Sequence, residues 1–322
     1  MPGSVAGPDT AASYHRRRMK RAVASWKLRT HTLELGRRTL LMGVVNITPD
    51  SFSDGGSYLD SDKAVVRALS LLEDGTDIVD LGAESTRPGT NAGRTLPAVT
   101  AEEEHRRLLP VVEGILRARP DAVLSVDTYK SETALAALAA GAEIINDVSG
   151  FLWDPSIARV CAEFHAGVVL SHTRGKPDQW RAQAQLEPDA LLKLVREGLA
   201  ASVAAAKSAG IAREAVVLDA GYGFGKRFGE NYALLARQDE LLALRRPLLA
   251  GVSRKSFLGH TLAPLFGGKD APVDAREHAS LAAMSAAILN GASIVRVHEV
   301  RPALEAARIA DAILAAGGVH GT

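Results

Sequence analysis

The chain has 322 residues, of which 47% are hydrophobic and 23% charged, with a formal net charge of +1. That balance excludes a disordered, collagenous or low-complexity protein. No run approaches the roughly 18 to 20 consecutive apolar residues needed to cross a bilayer, so a membrane partner is not expected. A single cysteine, Cys161, excludes an internal disulfide, and the basic cluster Arg16 to Arg21 lacks the apolar segment of a secretory signal; the expected compartment is the cytoplasm.

Charge is unevenly spread. Residues 1–30 hold seven Lys/Arg and one acid, leaving 31 basic and 36 acidic residues beyond, a net −5. Positive charge on an Ala/Gly/Pro/Ser-containing leader reads as a disordered basic tail over 1–30, and the remainder, 31–322, as one catalytic domain with no nucleic-acid partner. The segment Thr30 to Leu40, with Leu33 and Leu35, predicts a small hairpin that plugs a barrel floor.

Apolar runs rich in Val, Ile and Leu then recur at Leu40–Val45, Asp77–Leu81, Ala122–Val126, Glu143–Val148, Gly167–Leu170, Ala215–Leu218, Pro247–Val252 and Ser293–Val297. Between and after them lie stretches of helical spacing, among them Lys63–Glu73, Glu102–Ala118, Ser131–Ala140, Pro188–Ala209 and Arg276–Asn290. Strands that read as continuous apolar runs are buried on both faces, the mark of a parallel sheet covered by helices. Gly75, Gly141, Gly210 and Gly291 each stand where a helix should end in a left-handed cap. Eight β-then-α units predict a (β/α)8 TIM barrel, although a doubly wound open sheet gives the same periodicity.

In such a barrel the functional rim is at the carboxyl ends of the strands. The residues that follow the apolar runs are Asn46, then Glu84 to Gly89, Asp127, Asn146-Asp147, His172, Asp219, Ser253-Arg254-Lys255, and Arg296 with His298. Any one of these could be a loop cap, and Asp147 and Ser149 read best that way. As a set they suit one kind of ligand. Asn146, Asp127 and Asp219 can match the paired donors of a flat nitrogen heterocycle, while Lys255, Arg296 and His298 are cations for a phosphate. Gly221 to Lys226 lacks the Walker spacing and the Ser or Thr after lysine, which excludes a nucleoside triphosphate loop there. No Cys pair or H-E-x-x-H marks a metal cage. Mg²⁺ on a diphosphate needs only one or two protein oxygens, and Asn46 could supply one.

The segments Met42 to Gly56, Asp80 to Gly89, Ser125 to Lys130, Ile145 to Gly150, Gly223 to Lys226, Ser253 to Phe257 and Arg296 to His298 together resemble the dihydropteroate synthases, pterin-binding enzymes of folate synthesis targeted by sulfonamides. The resemblance implies condensation of a dihydropterin-methyl diphosphate with 4-aminobenzoate, with Mg²⁺ as cofactor. It implies a pterin held by Asp127, Asn146, Asp219 and Lys255 with Arg296 on its face, and a diphosphate with Asn46, Arg296, His298 and the metal. It places 4-aminobenzoate against Thr86, Arg87, Pro88, Phe224, Ser253 and Lys255, under loops that bring in Asp50 and Phe52. Asp127, Lys255, Arg296, His298 and Asp50 are then the expected catalytic group. A homodimer through the last helices is also implied.

Two positions depart from the family pattern. Ser171 replaces a methionine expected against the pterin, and Ala220 replaces a proline after Asp219; weaker pterin binding is expected. Rival readings are a corrinoid-linked pterin methyltransferase domain, which has no need of the Ser85 to Gly89 loop or Ser253-Arg254-Lys255, and a pterin-binding paralogue without turnover. A third is a scaffold whose basic leader touches nucleic acid, which a steep salt dependence lost on removing the leader would reveal.

Overall fold

The computed structural model describes residues 21–47, 57–84 and 99–317. A two-stranded antiparallel hairpin, β1 (Ala24–Lys27) and β2 (Thr32–Leu35), precedes the main sheet. The sheet consists of β3 (Leu40–Asn46), β4 (Ile78–Gly82), β5 (Leu124–Asp127), β6 (Ile144–Asp147), β7 (Gly167–Ser171), β8 (Val216–Asp219), β9 (Leu248–Ala250) and β10 (Ala292–Val297). All neighbours are parallel, and β10 pairs with both β9 and β3, so the sheet is a closed barrel and the open alternative is excluded.

Helices α1 (Ser57–Glu73), α2 (Ala101–Ala118), α3 (Ser131–Ala139), α4 (Ser156–Glu163), α5 (Pro188–Ser208), α6 (Phe228–Ala236), α7 (Ser256–Thr261), α8 (Glu277–Leu289) and α9 (Val300–Ala316) link and flank the strands. Their ends follow the expected chemistry: Gly75 and Gly141 close α1 and α3 with φ of 98° and 114°, a region costly for any residue with a Cβ.

Two apolar layers hold the barrel. One lies between strands and helices and includes Leu41, Leu81, Val126, Leu170 and Val295. The other fills the barrel's lower interior with Met42, Ile78, Ile144, Val169, Val217, Leu249 and Ile294. Trp26 and Leu35 of the hairpin join this second layer with no exposed surface, and Trp26 Nε1 donates to the Ala215 carbonyl at 2.9 Å.

The hairpin therefore plugs the floor as expected, but it starts earlier than the sequence placed it. Residues 21–30 do not belong to a disordered leader. Arg21 is buried, donating to Gly36 O, Thr39 Oγ1, Ala292 O and Asp311 Oδ1. The Arg21 charge is satisfied by that network, Lys27 and Arg29 stay exposed, and alternation along β1 turns Trp26 inward. Residues 1–20 lie outside the described residues.

Candidate active site

Inside the barrel the side chains alternate with a period of two, so each strand delivers one residue to the floor layer and another toward the mouth. Ile78 is followed by Asp80, Ile144 by Asn146, Val169 by Ser171, Val217 by Asp219 and Ile294 by Arg296. Apolar residues fill the floor and polar ones the level above it.

The centre of this polar level is Arg296. Its Nε donates to Asp80 Oδ2 at 2.6 Å and its Nη2 to Asp127 Oδ2 at 2.8 Å. Asp80 is fully buried and also accepts from Asn146 Nδ2 at 3.2 Å and from Ser125 Oγ at 2.6 Å. Burial pushes the Asp127 carboxyl up to about 7, against the pull of Arg296 and with reinforcement from Asp80. Arg296 is raised above the ordinary guanidinium range because its two carboxylates outweigh its desolvation.

Asp219 ends β8 beside Ser171 of β7, and its Oδ1 accepts the Gly221 amide at 2.7 Å. Desolvation raises its pKa, with Lys255, Lys226 and Arg296 opposing. Lys255 stands before α7 with Nζ 3.9 Å from the centre of the Phe224 ring, a cation–π arrangement. Trp180, on a 3₁₀ turn over Pro177–Ala182, packs against the same ring at 5.2 Å between centroids. Ser253 Oγ and His298 Nδ1 are 2.9 Å apart. Asn46, half-buried at the carboxyl end of β3, pairs in register with Gly82.

Of the expected site residues, the structure thus brings Asn46, Asp127, Asn146, Ser171, Asp219, Phe224, Ser253, Lys255, Arg296 and His298 to one end of the barrel. Asp50, Phe52, Thr86, Arg87 and Pro88 lie outside the described residues. Three rim residues are structural. Asp147 accepts the Ser149 and Phe151 amides as a turn cap, and Glu84 receives Lys130 Nζ at 2.6 Å. His172 packs against Gly198 of α5, and burial holds its imidazole well below the ordinary histidine range.

Two residues were missed. Asp80 sits inside an apolar run; its place at the head of the resemblance segment Asp80 to Gly89 and its even spacing from Ile78 and Gly82 are the signals the sequence offers. Lys226 stands in the sequence only as part of a rejected phosphate loop and of a resemblance segment, with no role of its own. It is buried, and its Nζ donates to the carbonyls of His172 at 3.1 Å, Gly221 at 2.8 Å and Phe224 at 3.4 Å. It fastens the loop that carries Phe224 to the end of β7. Desolvation lowers its ammonium to about 7.

The donor set fits magnesium only as a partner of an anionic ligand. Among the described residues no group of three or more His, Cys, Asp or Glu could cage a metal, whereas the Asn46 amide oxygen at the mouth can give the single protein contact that a largely hydrated Mg²⁺ needs.

The family model described as pterin binding enzyme matches residues 42–298. Dihydropteroate synthase of Bacillus subtilis (strain 168) is 39% identical over 288 residues, covering 89% of this chain and 93% of that relative. A solved dihydropteroate synthase from Xanthomonas albilineans with 4-aminobenzoic acid is 37% identical with a TM-score of 0.79, covering 91% of this chain and 99% of that one. Another structure from that organism, in complex with 7,8-dihydropteroate, is 35% identical with a TM-score of 0.75 over 90% and 99% of the two chains.

Proposed function

The chain belongs to the pterin-binding enzymes, among the dihydropteroate synthases, and we propose that it condenses 7,8-dihydropterin-6-ylmethyl diphosphate with 4-aminobenzoate to 7,8-dihydropteroate and pyrophosphate. The observation that carries this reading is the Asp80–Arg296–Asp127 bridge, with Asn146 on the same Asp80 and Asp219 and Lys255 on the same rim. Carboxylates and an amide deep in the mouth suit the donor edge of a pterin. Cations nearer the rim suit its diphosphate.

In the reaction the methylene C–O bond breaks, the electron pair leaves with pyrophosphate, and the aromatic amine forms the new C–N bond and loses a proton. The positive charge left on the methylene spreads into the electron-rich dihydropterin, so no protein nucleophile is required. Asp127 stabilises that charge when ionised. Arg296 is held by Nε on buried Asp80, which leaves its Nη edge to be shared between Asp127 and the substrate. His298, oriented by Ser253, and Lys255 complete the cationic side. Phe224, packed against Trp180 with Lys255 Nζ over its ring, is the aromatic side chain set against 4-aminobenzoate. Asn46 would hold Mg²⁺, which supplies neutralisation of the leaving group's charge when bound.

Asp50, Phe52, Thr86, Arg87 and Pro88 take their roles in this proposal from the family resemblance alone. A homodimer through the last helices is part of the reading, supported by Ile309 and Ile313, 66% and 47% exposed one turn apart on α9; sedimentation at a mass near one chain would count against it. A cytoplasmic location belongs to the same reading.

The test is pyrophosphate release from the dihydropterin substrate with Mg²⁺, with and without 4-aminobenzoate. Release that requires 4-aminobenzoate and yields dihydropteroate is the expected result. Pterin binding with no product would overturn it in favour of a binding protein without turnover.

A further inference from the structure

At the opposite end of the barrel, beside β1 and below the starts of β9 and β10, a cavity of about 680 Å³ is lined by Arg213, Arg245 and Arg246 with Leu242, Pro247 and Val23. None of these residues takes part in the site at the mouth. Arg21 also borders the cavity, but its charge is already committed to Asp311 at 2.8 Å.

Two of the other guanidinium groups, those of Arg213 and Arg246, converge unfavourably. Arg246 Nη1 and Arg213 Nη2 both donate to one acceptor, the Arg245 carbonyl, at 2.9 and 3.2 Å. This brings two like charges onto a single oxygen. Arg246 Nε is buried and has no protein hydrogen-bond partner, a costly state for a charged donor. Burial and the neighbouring Arg213 both lower the Arg246 guanidinium, and Glu214 offsets this only in part. Arg245 itself adopts φ 52°, the left-handed region that a side chain makes expensive. Its amide caps a 3₁₀ turn over Gln238–Leu244, and its carbonyl is the oxygen on which the two neighbouring guanidinium groups meet.

An oxyanion in the cavity would neutralise the excess charge of the guanidinium groups that line it. The chain's own leader is a poor occupant, since residues 1–20 carry four Lys/Arg and one acid. Leu242 and Pro247 give the cavity an apolar wall beside the charges.

We propose that this floor cavity binds a small phosphate-bearing molecule, with Arg213, Arg245 and Arg246 as its cationic ligands and the Leu242–Pro247 wall against its organic part. The site is independent of the condensation proposed above.

The experiment is calorimetric titration of the full chain with inorganic phosphate and with phenyl phosphate, at constant ionic strength in chloride. His298→Gln serves as a control for anion binding at the mouth. Binding to the wild type and to His298→Gln is expected, tighter for phenyl phosphate, and weakened about tenfold or more in Arg213→Gln/Arg246→Gln. In chloride the double variant should melt no lower than the wild type, because it loses a like-charge contact and an unpaired donor. Should it fail to fold, Arg246→Lys keeps the charge without the fork, and a several-fold loss of phosphate affinity is expected. Equal phosphate affinity in wild type and the arginine variants would overturn the site, as would loss of all binding in His298→Gln.

Discussion

Arg296 Nε lies 2.6 Å from Oδ2 of Asp80, a carboxylate with no exposed surface in the middle of a barrel strand. The pair fixes the guanidinium from below and sets which of its edges faces the mouth. Removing one partner of a buried ion pair leaves the other uncompensated, at a cost of about 3 kcal/mol. Asp80→Asn is expected to lower the urea midpoint correspondingly and to reduce kcat. An unchanged midpoint would show that Asp127 alone suffices to hold Arg296.

The Asp127 carboxyl, displaced from 3.8 to about 7, gives a pH dependence of definite sign. A raised folded-state pKa means that the folded chain binds more protons than the unfolded one between those two values, so this group's contribution to stability is full at the acidic end and is lost as pH rises through 7. Asp127→Asn should flatten that part of the melting-temperature profile. Catalysis runs the other way: kcat/KM should climb as pH passes about 7, because the ionised form stabilises the cation. A flat rate profile from pH 6 to 8 would contradict the role.

The floor plug sets a sharp boundary for truncation. Deleting residues 1–20 should leave the thermal midpoint nearly unchanged, whereas deleting 1–30 removes Arg21 and Trp26 and should abolish cooperative melting. Trp26→Ala alone is expected to cost about 3–5 kcal/mol, the range for a fully buried large aromatic. Calorimetry of the three proteins distinguishes these outcomes.

Lys226 acts through the loop it fastens. Lys226→Met removes three carbonyl contacts and frees Phe224, so KM for 4-aminobenzoate should rise about tenfold while pterin affinity changes little. Steady-state kinetics with each substrate varied in turn checks the split. A larger effect on the pterin side would place the loop's influence on Asp219 instead.

Ser171 is buried at the carboxyl end of β7 next to Asp219. Ser171→Met should add apolar contact to a bound pterin and tighten it by about 1 kcal/mol, roughly fivefold. Pterin titration reads this directly, and no gain would mean that the hydroxyl is no handicap.

The sequence by itself determined the β-then-α order, the helix-ending glycines and the polar residue at the end of each strand, because propensity, capping and the strand-to-helix switch are local properties. It also carried the long motifs that identify the family. Closure of the sheet, the burial of Arg21 and the central place of Asp80 were decided only by the tertiary structure. Closure requires β10 to pair with β3 across the whole chain, and no local pattern encodes that contact. Arg21 reads as solvated until Asp311, at the other end of the chain, neutralises it. Asp80 reads as an intrusion in an apolar strand until Arg296, Asn146 and Ser125 converge on it from three other strands. A buried charge is tolerable only where its partners meet, and these partners are brought together by the fold, far apart as they are along the chain.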